Sequence, residues 1–198
     1  MSRARAERKR RPLDDYPTPG WAIDVILPHL PLEGVVLEPA CGAGAILAHV
    51  LDAGVPNALA RGIEIDAGRA EEARALGVHV ATQDALDGDP GSWGAPRLII
   101  TNPPFRRALP FVDRALREVA PGGVVAMLLR IGFIEGKDRR AFHDAHPADL
   151  YVLSRRPSFI GTGSDTAAYA WWVWGPGRGG RYQVLACPSA REVAGGAA

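Results

Sequence analysis

Residues Thr101-Asn102-Pro103-Pro104-Phe105 combine groups that a plain turn has no need to combine. Two successive prolines remove two backbone donors and stiffen the chain, leaving carbonyl oxygens to accept hydrogen bonds. The Asn102 side-chain oxygen and the Pro103 carbonyl could together accept both N–H bonds of an amino group. Held in that way, the nitrogen would turn its lone pair toward an electrophile. Phe105 would stack on the planar ring that carries the amine. A strand ending in a proline turn accounts for the prolines but not for the adjacent asparagine and aromatic.

Upstream, Glu38-Pro39-Ala40-Cys41-Gly42-Ala43-Gly44 reads as a loop between a strand and a helix. Its glycines allow a tight turn and close backbone approach of a ligand to a helix N-terminus. The dinucleotide fingerprint Gly-x-Gly-x-x-Gly is not present, because Leu47 stands where the third glycine would be. An acidic residue just before the loop suits a cationic or amino-acid-bearing ligand better than a pyrophosphate. Glu64 and Asp66 follow about 20 residues later, where a carboxylate could accept from both hydroxyls of a ribose. Glu64 is the better ligand candidate, and Asp66 is either a second one or the cap of the next helix. Asp84 could accept from the exocyclic amine of a ligand's adenine, or serve only as a turn residue.

These residues need elements to hold them. Val35-Val36-Leu37, Ala60 to Ile65, Val78-His79-Val80, Arg97 to Ile100 and Val124 to Leu129 read as strands. Between them, Ile46, Leu47, Val50 and Leu51 repeat at helical spacing, as do Leu109, Val112, Leu116 and Val119. A helix also runs from Asp66 to Leu76, with Gly77 as its stop. A short helix is expected from Trp21 to Leu30, and a polar one over 137–145. Tyr151-Val152-Leu153, Ala168 to Trp174 and Tyr182 to Ala186 add late strands, in which Trp171, Trp172 and Trp174 read mainly as packing residues. Strand and helix alternation implies an α/β fold with a mostly parallel sheet covered on both faces. Ligands of such sheets bind beyond the carboxyl ends of the strands, where the unusual residues lie.

A length of 198 residues fits one domain with a real core: a basic arm over 1–13, a single domain over 14–187 and a flexible tail over 188–198. Six basic residues against Glu7 give the first eleven residues +5, so the remainder carries −4 of the total +1. Such an arm reads either as a contact for a polyanion or as a solvated tail. Arg106 and Arg107 beside the proline pair, with Arg155 and Arg156, are further nucleic-acid candidates; a solvated helix start is the competing reading of the first two. No apolar run approaches the roughly 20 residues that span a bilayer, so no membrane partner is expected. Cys41 and Cys187 lie far apart, and His29, His49, His79, His143 and His146 lack ligand spacing. Neither a disulfide framework nor a metal is expected, and a reducing, cytoplasmic setting is. Gly161-Thr162-Gly163-Ser164-Asp165 is either a substrate-side hairpin loop or a plain connection.

Taken together, these motifs resemble the amino-methyltransferases of the class I Rossmann-like superfamily, in particular the DNA adenine-N6 branch. The resemblance covers roughly residues 14 to 175 and implies a doubly wound, mostly parallel sheet with a C-terminal antiparallel hairpin. It implies S-adenosyl-L-methionine as cofactor, with Tyr16, Thr18 and Pro19 matching the N-terminal motif that meets its methionine end. Glu38, Pro39, Ala40, Cys41, Gly42 and Gly44 match the glycine loop, Glu64 and Ile65 the ribose-binding segment, and Asp84 and Ala85 the segment beside the cofactor adenine. Asn102, Pro103, Pro104 and Phe105 match the catalytic motif. Arg156-Pro157-Ser158-Phe159 through Trp171 is similar to small phage- or prophage-type members. No target-recognition domain of the restriction type fits this length, which leaves a relaxed specificity or a shared homodimeric reading of DNA open, as well as a monomer. RNA adenine and protein glutamine enzymes share the Asn-Pro-Pro element and are the rival enzymes. A catalytically silent cofactor- or DNA-binding module is the rival of another class.

Overall fold

A computed structural model of the chain describes residues 17–89, 91–137, 139–158, 166–189 and 192. The basic arm, Tyr16, the loop over 161–165 and nearly all of the segment beyond 189 lie outside the described residues. Eight strands form one sheet: β1 (Val36–Pro39), β2 (Ala60–Glu64), β3 (His79–Thr82), β4 (Leu98–Thr101), β5 (Val124–Arg130), β6 (Asp149–Leu153), β7 (Tyr169–Trp174) and β8 (Tyr182–Leu185). Their order is β3-β2-β1-β4-β5-β7-β6-β8. Strands β1 to β5 pair in parallel, β7 runs antiparallel between β5 and β6, and β8 lies parallel to β6. This is the doubly wound sheet with a C-terminal antiparallel hairpin that the motifs imply.

The helices are α1 (Gly20–Asp24), α2 (Ala45–Asp52), α3 (Ala67–Arg74), α4 (Ala108–Glu118) and α5 (Arg140–Ala145). Side chains on the strands alternate between two cores, which is why the strands read as continuous apolar runs. In β7, Tyr169, Trp171 and Val173 face one core together with Ile23 of α1, Ile46, Leu47 and Val50 of α2 and Ala73 of α3. Ala170, Trp172 and Trp174 face the other, which α4 covers with Phe111, Val112 and Ala115. All three tryptophans are buried, as packing residues should be.

Two helices are shorter than their sequence pattern. The helix expected over Trp21–Leu30 ends at Asp24 and gives way to a 3-10 turn at Leu27–His29. Pro28 inside that stretch removes a donor and clashes with the preceding turn, so the regular helix cannot continue through it. The helix expected over 137–145 starts only at Arg140, after Gly136 takes a φ of 118°.

Asp149, at the start of β6, holds the C-terminal strand in place. Its Oδ1 accepts from the Gly179 N–H at 2.9 Å and the Arg181 N–H at 3.2 Å, and its Oδ2 from Arg181 Nη2 at 2.9 Å. Burial pushes its carboxyl up, but the bonds from Gly179 and Arg181 outweigh that and hold it below the usual carboxylate range. Asp149→Ala leaves two backbone donors without a partner and is expected to cost about 2–4 kcal/mol. Denaturant unfolding should show this as a lower midpoint. Because the folded pKa is depressed, the contribution is fully present above the unfolded value of about 4 and fades as the pH falls through the folded one.

Candidate active site at the carboxyl ends of the strands

The chain leaves β1 toward β2 and leaves β4 toward β5, so a crevice opens between two neighbouring strands. The glycine loop follows β1 and the proline pair follows β4, on opposite sides of that crevice. Thr101 Oγ1 donates to the Pro39 carbonyl at 2.5 Å, fully buried, and ties the two loops together. Asn102 Nδ2 then donates to Thr18 Oγ1 at 3.1 Å, across 84 residues of sequence. Thr18 is buried and is placed by α1, which Trp171 fixes to the sheet by donating from Nε1 to the Ala22 carbonyl at 2.7 Å. Thr18, Pro39 and Asn102, far apart in the chain, are thereby brought to one place.

The glycine loop is set by backbone geometry. Gly42 and Gly44 have φ of 57° and 87°, and Ala40 also lies in the left-handed region at 61°. A side chain on Gly44 would meet Leu76 Cδ1 at 2.7 Å and the Ala73 backbone at 3.3 Å, so the close packing of this turn on α3 favours glycine, as does its positive φ. Glu64 braces this loop: its Oε2 accepts from the Gly42 N–H at 2.8 Å and its Oε1 from the Asp66 N–H at 3.0 Å. The Arg69 guanidinium stands 4.0 Å from the same Oε1, and each oxygen keeps an acceptor position beyond its backbone bond. Asp66 is the helix cap, accepting from the Arg69 N–H at 3.0 Å. Ile65 is an exposed apolar side chain at the rim.

Glu38 behaves differently. It is 3% exposed, and its Oε2 makes no hydrogen bond among the described residues. Burial pushes its carboxyl well above the usual range and the nearby Glu64 adds to the rise, while the Leu47 N–H opposes it. Burial likewise pushes up the Cys41 thiol, helped by Glu38 and Glu64, which makes it a packing group rather than a nucleophile.

At the far side, Asp84 follows β3 and its neighbour Ala85 is buried. Asp84 Oδ1 accepts from the Leu86 N–H at 2.9 Å, and Oδ2 from Arg107 Nη1 at 2.7 Å. Burial raises its carboxyl, yet the hydrogen bonds and charge of Arg107 hold it below the ordinary value. Arg107 is therefore committed to Asp84, whereas Arg106 and Arg156 are exposed. Arg155 donates to the Pro188 carbonyl at 3.0 Å, and its guanidinium lies 5.3 Å from the Trp21 ring centroid. Trp21 thus packs under Arg155 at the edge of the core.

Sequence reasoning missed two residues beside Phe105. The Arg130 guanidinium sits 4.9 Å from the Phe105 ring centroid and donates from Nε to the Tyr169 hydroxyl at 3.0 Å. Arg130 and Tyr169 face each other in the β5–β7 register, a pairing that their sequence separation conceals. No group of three or more His, Cys, Asp or Glu side chains that could hold a metal occurs among the described residues. No helix there is long and apolar enough to cross a membrane.

Replacing Glu38 with Gln tests its state. A carboxyl whose folded pKa is raised costs stability as the pH climbs from about 4.3 toward the folded value. Glu38→Gln and wild type should therefore differ by a constant below that pH, and the difference should shift in favour of the variant as pH rises. Parallel denaturation curves across pH 4–8, with no such divergence, would contradict this.

No family model matches the sequence, and no curated protein matches it. Solved structures do resemble the fold. A type I restriction-modification methyltransferase subunit from Streptococcus thermophilus superposes with a TM-score of 0.63 at 17% identity, covering 82% of this chain and 45% of that one. A Pyrococcus horikoshii protein assigned as an RNA methyltransferase gives 0.61 at 16% identity over 82% and 85% of the two chains. An RNA methyltransferase from Salinibacter ruber, solved with S-adenosyl-L-homocysteine, gives 0.52 at 16% identity over 80% and 92%. At these identities the likeness establishes the fold.

Proposed function

We propose that this chain is an S-adenosyl-L-methionine-dependent methyltransferase acting on an exocyclic amine, with N6 of adenine in DNA as the favoured substrate. The observation that carries the proposal is the hydrogen bond from Asn102 to Thr18 at the mouth of the crevice. By donating through Nδ2, Asn102 orients its amide so that Oδ1 is the acceptor offered to an amine. The Pro103 carbonyl is the second acceptor, and Phe105 is the stacking surface. A target base would leave its stack to reach them.

The residues present fit the cofactor. The buried Glu38 oxygen without a hydrogen bond is an acceptor in reserve for a cationic ligand. The left-handed glycine loop presents its backbone at the end of β1, and Glu64 and Asp84 each keep acceptor capacity at the ends of β2 and β3. When bound, S-adenosyl-L-methionine supplies a methyl group made electrophilic by its sulfonium. The protein's own part is positioning: Asn102 and Pro103 aim the amine, Phe105 holds the ring, and the buried Glu38 oxygen offers an acceptor. The exocyclic amine of adenine is unprotonated at neutral pH, so no strong base is needed to free it before attack, and the surplus proton leaves to water after the methyl group has been transferred.

DNA is favoured by the motif order, with the Thr18-Pro19 element before the glycine loop. RNA is the second reading, supported by the likeness to the Salinibacter enzyme over 92% of that chain. Asn102→Ala should lower turnover by at least about 100-fold while leaving cofactor affinity within a few-fold. The check is transfer of labelled methyl to unmethylated DNA, RNA and protein in parallel, read by nucleoside mass spectrometry. Signal in RNA alone would move the substrate. Cofactor binding with no transfer anywhere would turn the reading to a silent binding module.

A further inference from the structure

Arg107 stands two residues beyond Phe105, yet its guanidinium is turned back to the other side of the crevice. Its partner Asp84 follows β3, and β3 is separated from β4 by β2 and β1. The 2.7 Å pair therefore joins the segment after β3 to the segment after β4, across the ends of the strands that carry Glu64 and the glycine loop. Arg107 is also part of the catalytic turn. Its N–H donates to the Pro104 carbonyl at 2.8 Å, closing the 3-10 turn Phe105–Arg107, and it occupies the cap position of α4. Fixing the guanidinium therefore adds a restraint to the turn that presents Phe105, beside the contacts of its ring with Arg130 and Tyr169.

We infer that Arg107 is a positioning residue that couples occupancy of the cofactor cleft to the order of the catalytic turn. The inference rests on the cofactor proposed above and is independent of which nucleic acid is the substrate. The Arg107 side chain is 43% exposed and that of Asp84 19% exposed. A pair so open to water holds weakly, because solvent screens it. Each Asp84 oxygen already accepts one hydrogen bond, so an arriving amine donor takes a second position on the same carboxylate rather than displacing Arg107. A planar ring lying against the pair also excludes water, and the charge interaction strengthens as the local dielectric falls. Asp84 becomes fixed, Arg107 with it, and the Phe105 turn is ordered when the cleft is filled. Linkage makes the effect reciprocal: ordering the turn tightens the cleft by the same factor. The neighbouring Arg106 is exposed and is the candidate for phosphate contact.

The test is hydrogen exchange of the full chain with and without saturating S-adenosyl-L-homocysteine. In the wild type, the ligand should slow exchange in both the glycine-loop segment 41–52 and the catalytic segment 104–112, by about tenfold in the latter. Arg107→Ala should keep the protection of 41–52 and lose that of 104–112, with Arg107→Lys restoring part of it. A purely structural role would instead raise exchange of 104–112 with and without ligand alike, and that result overturns the coupling. Arg107→Gln, which keeps a donor but no charge, should lose most of the effect and serves if the alanine variant unfolds. Protection of 104–112 undiminished in these variants overturns the inference while leaving the cofactor reading intact. No protection of wild type at either segment overturns the cofactor reading and this inference together.

Discussion

Strands β1 and β4 lie side by side, and the chain departs from them in opposite directions. The rest of the site depends on that constraint. Parallel neighbours put their carboxyl ends at the same level, and the reversal of strand order keeps either connection from filling the space between them. The glycine loop and the proline pair consequently face one another across an open crevice. The Thr101 hydroxyl on the Pro39 carbonyl closes the base of that crevice with one buried hydrogen bond. Above it, every feature of the site is a matter of which side chain the loops can afford to leave there.

The two buried glutamates show how differently one residue type is used. Glu64 spends its oxygens on backbone N–H groups of Gly42 and Asp66, so it is part of the framework that holds the loop in its left-handed turns. Glu38, two residues before the left-handed Ala40, keeps a buried oxygen without such a donor, and burial drives its carboxyl toward the neutral form. A buried acceptor left in this state costs stability, and such costs are carried at places where a ligand restores the missing interaction. Cys41 is buried close enough to feel Glu38 and Glu64, and the same desolvation keeps its thiol protonated.

The residues around Phe105 show where reading along the chain stops. The turn itself was legible, since a proline pair after an apolar strand permits few other structures. Its surroundings were not. Arg130 ends β5 and Tyr169 begins β7; antiparallel pairing sets them opposite each other and beside Phe105. Asp84 and Arg107 were legible as separate candidates for adenine and phosphate, and the structure makes them partners of each other. Trp171 was legible as a core residue; that its indole N–H also anchors α1, and so places Thr18, follows only from the packing.

The sequence by itself determined the alternation of strands and helices, the mostly parallel α/β sheet and the places of the glycine and proline loops at the strand ends. These are decided by backbone sterics and by periodicity, which act over a few residues and leave local marks. Tertiary structure alone decided that Thr18 meets Asn102, that one Glu38 oxygen is left without a donor while each Glu64 oxygen has one, and that Arg107 reaches back to Asp84. Each of those depends on distance and on access to water between segments far apart in the chain, and a hydrogen bond or a desolvated charge exists only once the sheet has brought its partners within about 3 Å of each other.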